Sequence, residues 1–333
     1  MEAAAHACAN VALVKYWGKR DVALNLPATG SLSVTLDALR TRTRVRFDAK
    51  LDRDELHLDG RSHAPAPERV RLCLDLVRQH AGVELPARVD SDNDFPTGAG
   101  LASSSSGFAA LVVAAAGALG LGLLPRELSR IARRGSGSAA RSIFGGFVEM
   151  SAGVRADGAD AHASPLLRAA DWPLAVVIAI TSREAKPIGS SEGMELTRTT
   201  SPFYAAWVAG TIDDLGEARE AVARRDFAAL ATVSERNCLR MHAAMLGSRP
   251  PLVYMNGATL DCLHAIRALR DDTGLATFFT VDAGPQVKAV CLPGDAPRVA
   301  EALRRIVGVE RVMMSSLGEG ARTVRDRQSG EAH

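Results

Sequence analysis

Apolar and polar residues alternate with a period of two in the first third of the chain. A helical period of about 3.6 dominates the middle. Residues 6–14 are read as a short strand, and SLSVTL and TRTRVRF within residues 30–47 predict two half-buried antiparallel strands. ELHLDG adds a third strand that ends in a turn signal. From 67 to 81 the pattern turns helical, with Val70, Leu74 and Val77 on one face and Arg69, Arg71 and Arg78 as solvated charges. ARVDSDNDF then leads into the stretch 95–108, FPTGAGLASSSSGF, which runs into an apolar helix ending near residue 124. That helix is too short and too rich in Ala and Gly to span a bilayer. Another helix is expected over 125–134, a surface hairpin or loop over 151–163, and a fully buried strand at PLAVVIAIT, 173–181. Helices follow at about 202–223, 226–245 and 256–272, then two strands flanking VDAGPQ. A helix over 297–306, a strand near 311–314 and a disordered tail close the chain.

Several of these joints carry chemistry. In FPTGAGLASSSSGF, Gly98 and Gly100 permit a tight turn with inward amides, and four serines, Ser103 to Ser106, stand where a helix begins. A polyphosphate site at the positive end of a helix has this composition, and so does a Ser-capped core helix. Neither a Walker loop nor a dinucleotide-binding fingerprint is present. The cluster Lys15, Tyr16, Trp17, Gly18, Lys19, Arg20, Asp21 follows directly on a strand, which fits a solvated turn or an anion site with Lys as point charge and Tyr as donor. In GSGSAARSIFGGF, residues 135–147, Arg141 sits between small residues and an apolar run that re-enters the core, so this arginine needs an anionic partner. KPIGSSEGM caps the next helix or closes over a site. Asp282 in VDAGPQ is a turn-former on composition alone.

Composition narrows the class. At 333 residues, 47% hydrophobic and 23% charged, the chain has room for two domains, with a boundary expected after residue 183 and the tail starting at 326. A net charge of +2 gives no case for a nucleic-acid partner, and no membrane segment is expected. Five separated cysteines without a C-x-x-C pair point to a reducing compartment, and Glu2 stands where a signal peptide carries basic residues, so the cytoplasm is expected.

Taken together, NVALVKYWGKRD, SLSVTL, FPTGAGLASSSSGFAAL, GSGSAARSIFGGF, GSSEGM, PPLVYMN and TVDAGP closely resemble the mevalonate diphosphate decarboxylases, within the small-molecule kinase superfamily of galactokinase, homoserine kinase and mevalonate kinase. The resemblance implies a two-domain α+β fold with its active site between the domains, a homodimer, and ATP and Mg²⁺ as cofactors. It implies phosphorylation of the tertiary hydroxyl of mevalonate 5-diphosphate, then loss of phosphate and carbon dioxide to give isopentenyl diphosphate. A monophosphate decarboxylase or a mevalonate-type kinase is the alternative. By motif, Asp282 stands beside the tertiary hydroxyl with Lys15 as its cationic neighbour, and Ser104 and Arg141 complete the catalytic set. Tyr16, Lys19, Ser136, Ser138, Arg141, Ser190 and Ser191 are the implied substrate-binding residues. Asn93, Gly98, Gly100, Ser103, Ser104 and Ser105 are those implied for ATP, with Ser104 on the metal.

Overall fold

The computed structural model describes residues 1–95, 103–184 and 186–324. Gly98, Gly100 and the expected tail lie outside the described residues.

A long apolar strand, β1 (Glu2–Val14), pairs antiparallel with a 17-residue strand after the short β2 (Lys19–Asp21) and β3 (Leu26–Pro27). The two strands expected within 30–47 are one strand, β4 (Ser31–Phe47). Nothing at residues 37–40 forces a turn: there is no Gly or Pro, and Leu39 is buried. Instead the strand changes partners. Its first part pairs with β8 (Phe147–Met150) and its last part with β7 (Ala87–Asn93), while β1 runs along both with register shifts beside Asn10 and before Val14. β5 (Glu55–Leu58) is the third strand expected at ELHLDG, and past its turn, Asp59 and Gly60, both at positive φ, it forms a hairpin with β6 (Arg61–His63). β9 (Ala163–Leu167) pairs with β8, and the last described strand, β14 (Arg322–Val324), returns to β1.

Three helices cover one face of this sheet: α1 (Glu68–Ala81), α2 (Ser103–Ala118) and α3 (Pro125–Gly135). α2 is apolar on nearly every side, because its Ala and Gly side chains let it lie close to β1 and β4. Val70, Leu74 and Val77 are buried as expected. Arg78 departs from the expectation of solvated charges, since it is buried on carboxylates of Asp54 and Asp75 and on the carbonyl of Leu85. The single turn α4 (Ala139–Ser142) follows α3.

A second sheet, ordered β11 (Thr277–Val281), β12 (Val287–Cys291), β10 (Ala175–Ile180) and β13 (Arg311–Ser316), is antiparallel throughout. β10 is the buried strand expected at 173–181. Sheet membership therefore changes between Leu167 and Ala175, ahead of the division expected after residue 183. Four helices lie between β10 and β11: α5 (Ser190–Thr200), α6 (Tyr204–Arg224), α7 (Phe227–Leu246) and α8 (Gly257–Thr273). Asp226 and Asn256 cap α7 and α8 by accepting from the amides of Ala229 and Thr259. α8 and α9 (Ala296–Arg304) pack on the outer face of the second sheet. A shared core of Val11, Leu13, Val34, Leu36, Val176, Ile178, Phe278 and Val290, closed by α6 and α7, joins the two sheets. Among the described residues, no helix is long and apolar enough to cross a membrane.

Candidate active site

Where β1 runs out, β11 also ends, and the loops that leave them face the N-terminus of α2 across a cleft of about 500 Å³. The two strand ends are tied together. Thr280 donates from Oγ1 to the carbonyl of Ala12 at 3.2 Å, and Asn237 on α7 accepts from the Lys15 amide at 2.7 Å. Asp282, just past β11, thereby meets Lys15, just past β1, with Nζ donating to Oδ1 at 2.6 Å. Lys288 on β12 reaches the other oxygen, Oδ2, at 3.2 Å. Burial alone raises the Asp282 carboxyl, but Lys15 and Lys288 outweigh it and hold the group well below the usual carboxylate range. Burial also pushes the Lys288 ammonium below its ordinary value, with Asp282 opposing that shift.

Behind the pair, His242 of α7 donates from Nε2 to the carbonyl of Val281 at 3.3 Å. Burial lowers this imidazole to about 4, helped by the nearby Lys15. A histidine whose folded value is depressed is neutral in the fold and protonates more readily in the unfolded chain. Its contribution is therefore complete above the unfolded value of about 6.5 and is lost as pH falls toward 4. The expected outcome is that His242→Gln flattens the loss of unfolding free energy between pH 6.5 and 4, by an amount of roughly 3 kcal/mol. Denaturant titrations of both proteins across that window measure it, and parallel curves would refute it.

Across the cleft, α4 brings Arg141 inward. Its Nη1 donates to Ser31 Oγ at 2.6 Å and its Nη2 to Asn10 Oδ1 at 3.1 Å, while Nε has no partner. No carboxylate among the described residues lies within ion-pair reach of it, so the anionic partner expected for this arginine is not found among them. Burial lowers its value to about 10. Asn10 is held in turn, its Nδ2 donating to the Ser138 carbonyl at 3.0 Å and to Ser142 Oγ at 2.8 Å. Ser136 donates to Ser104 Oγ at 3.3 Å and pairs with Ser138 Oγ at 3.2 Å, so three hydroxyls stand in a row at the opening of α2. Tyr16 packs against Gly137, where a Cβ would come within 2.5 Å of the phenol, and burial pushes that phenol up to about 12. Gly18 has φ of +124° and its missing Cβ leaves room for the Tyr204 hydroxyl, which turns the chain so that Lys19 also lines the cleft. On the far wall Lys186 donates to Ser190 Oγ at 2.7 Å and to the Ala283 carbonyl at 3.0 Å.

Lys15, Tyr16, Lys19, Ser103, Ser104, Ser136, Ser138, Arg141, Ser190, Ser191 and Asp282 therefore share one cleft. Ser105 and Asn93 do not line it. Ser105 is fully buried and accepts from the Asn10 amide, and Asn93 is bonded to Asp59 and accepts from Thr41. Both sit behind the wall and hold it in place. Asn10, Arg69, Lys186 and Lys288 were not singled out by the sequence as site residues. Two of them carry a visible signal, as Lys288 is the single polar residue of its strand and Asn10 interrupts the apolar run 7–14 of β1.

Five cations line the cleft, Lys15, Lys19, Arg69, Arg141 and Lys186, against two carboxylates, Asp282 and Glu192. That excess suits a ligand with several negative charges. A larger groove of about 750 Å³ beside Arg53, Asp54, Asp75 and Arg78 lies on the outer surface, and there Arg78 is already matched by carboxylates. Among the described residues there is no cluster of His, Cys, Asp or Glu suited to hold a metal by itself. A hard cation held through phosphate oxygens and one hydroxyl needs none.

Two sequence families match the chain: the diphosphomevalonate decarboxylase-like N-terminal domain over residues 7–163, and the mevalonate 5-diphosphate decarboxylase C-terminal domain over residues 176–331. The diphosphomevalonate decarboxylase of Aspergillus fumigatus is 40% identical over 318 residues, covering 90% of this chain and 79% of its own. That of Saccharomyces cerevisiae is 37% identical, with 90% and 80% covered. In three dimensions the mevalonate diphosphate decarboxylase of Staphylococcus aureus superposes with a TM-score of 0.90 at 38% identity, covering 97% of this chain and 98% of its own. A structure of MDDEF in complex with MVAPP, AMPPCP and magnesium superposes with a TM-score of 0.89 at 38% identity, covering 97% and 99%.

Proposed function

The chain belongs to the mevalonate diphosphate decarboxylase family, and from that membership we propose that it converts mevalonate 5-diphosphate and ATP to isopentenyl diphosphate, ADP, phosphate and carbon dioxide. The observation that carries this reading is Asp282, held ionised by Lys15 and Lys288 in the same cleft as an arginine with no counter-ion of its own.

ATP and Mg²⁺ fit the residues present. α2 opens on Ser103 and Ser104 with no acidic side chain in its first turn, so its N-terminus offers hydroxyls and a positive dipole end to phosphate oxygens. Ser103 and Ser104 would hold the nucleotide, with Ser104 also on the metal. When bound, the nucleotide supplies the phosphoryl group that makes the tertiary oxygen a leaving group.

The rest falls to the chain's own side chains. Tyr16, Lys19, Ser136, Ser138 and Arg141 bind the diphosphate and carboxylate of the substrate, and Ser190 and Ser191 close on it from the second half of the chain. Asp282 orients the tertiary hydroxyl and takes its proton. A carboxylate so strongly stabilised is a weak base, which phosphoryl transfer tolerates because its loose transition state lets the proton leave late. Position outranks basicity here. As the carboxylate of the substrate expels phosphate, positive charge grows at the third carbon, and the anionic Asp282 beside it lowers that barrier.

The test supplies ATP, Mg²⁺ and either mevalonate 5-diphosphate or mevalonate 5-phosphate, and follows ADP and carbon dioxide together. Equal release of both from the diphosphate is the expected result. ADP without carbon dioxide means a kinase, and turnover only of the monophosphate means that Lys19 and Arg141 do not read the second phosphate. We place the reaction in the cytoplasm, a reading supported by five free, buried cysteines, and assign a homodimer, which sedimentation of the purified chain measures directly.

A further inference from the structure

We propose that Lys288 is a positioning residue for this reaction, which acts through Asp282 by holding the carboxylate oxygen that Lys15 does not reach. The inference rests on the function proposed above.

β12 is buried along its whole length and pairs on both sides, with Ile178 of β10 and Thr280 of β11 opposite Lys288. Its neighbours Val287, Ala289 and Cys291 enter the core under α8 and α9, so position 288 points to the opposite face, toward the junction of the two sheets. Lys288 is 3% exposed and does not line the cleft. Its Nζ has two polar neighbours, Asp282 Oδ2 at 3.2 Å and the Gln286 carbonyl at 3.4 Å. A buried ammonium with so few partners is costly, and a Met of similar length would fill the same space. What the ammonium adds is a second anchor for one carboxylate. With Lys15 at Oδ1 alone, the Asp282 carboxyl is free to turn about its last side-chain bond. With a cation at each oxygen its plane is fixed, and the remaining lone pairs are directed along set lines.

The charged and titratable groups around it come from several elements. Lys15 follows β1 and Lys186 precedes α5, while Arg141 on α4 acts on Asp282 from across the cleft. Cys238 and His242 face it from α7, and both are neutral when buried there. Asp282 is thus the one anion in a ring of cations, and removing Lys288 leaves it anchored by Lys15 alone.

The experiment compares Lys288→Met, Lys288→Gln and Lys288→Arg in the full-length chain, once the parent has been shown to release carbon dioxide. In Lys288→Met, kcat falls about 10-fold or more while KM for each substrate changes less than about 3-fold, because the lost interaction bears on the reacting group and not on binding. The acid limb of kcat moves to higher pH by about one unit, since a neighbouring cation no longer favours the carboxylate. Lys288→Arg recovers most of the rate. The ¹³C signal of the Asp282 carboxyl, titrated in the protein without substrate, moves the same way. An unchanged acid limb and carboxyl titration in Lys288→Met, with kcat within twofold of the parent, overturns the proposal. So does failure of both neutral variants to fold beside a fully active Lys288→Arg, which makes the ammonium structural. Absence of carbon dioxide release by the parent would sink the function and not this role, because the carboxyl titration reads Lys288 without turnover.

Discussion

Asp282→Asn turns over at least about 100-fold more slowly than the parent, with ADP and carbon dioxide falling together. The substitution keeps the shape of the side chain and removes its charge and its capacity to take a proton. It therefore abolishes the anion that Lys15 and Lys288 hold in the cleft, and Glu192 is left as the other carboxylate of the lining. Lys15 and Lys288 are 1% and 3% exposed, and Asp282 is the only carboxylate within ion-pair distance of either among the described residues. Leaving two buried ammonium groups without it costs the fold roughly 3 kcal/mol. The variant is thus both slower and less stable. Steady-state turnover read beside denaturant unfolding decides the matter, and near-parental rates would remove Asp282 from the chemistry.

Arg141→Gln separates those two losses. Here kcat/KM falls about 100-fold or more, because a desolvated guanidinium no longer meets the substrate's anionic groups. Stability without ligands changes little, by about 1 kcal/mol or less. The reason is that Arg141 has only neutral partners, Ser31 and Asn10, and an unbonded Nε, so the empty protein already bears the cost of an isolated buried charge. A glutamine amide can bond to Asn10 and Ser31 in its place. Binding and catalysis lose while folding does not. Unfolding curves that drop by several kcal/mol would instead make Arg141 part of the scaffold.

The parts of the site that are legible in the amino-acid sequence are those built from turns. Asp282 in VDAGPQ, Arg141 among small residues and the serines opening α2 each break a regular pattern. The pattern alone, however, makes Asp282 a turn-former and leaves the serines between a phosphate site and a helix cap, and only the family resemblance gives them roles. Helices with caps, such as α7 after Asp226 and α8 after Asn256, are legible for the same reason. What stays hidden depends on pairing. β4 reads as two strands because its polar period shifts near residue 37, and only its exchange of β8 for β7 shows why one strand needs two patterns. Arg78 looks solvated until Asp54, 24 residues earlier, comes to meet it. Asn10 and Lys288 are polar residues in apolar runs whose partners lie 131 and 6 positions away, and no periodic pattern announces either pairing.

The bond between Lys15 and Asp282 joins positions 267 apart. A ribosome releases residues 15, 104 and 141 long before residue 282, so a nascent or truncated chain carries the groups that would grip phosphates but lacks the carboxylate that commits them. By the same logic, a nick that frees β11 from the end of β1 separates Asp282 from Lys15.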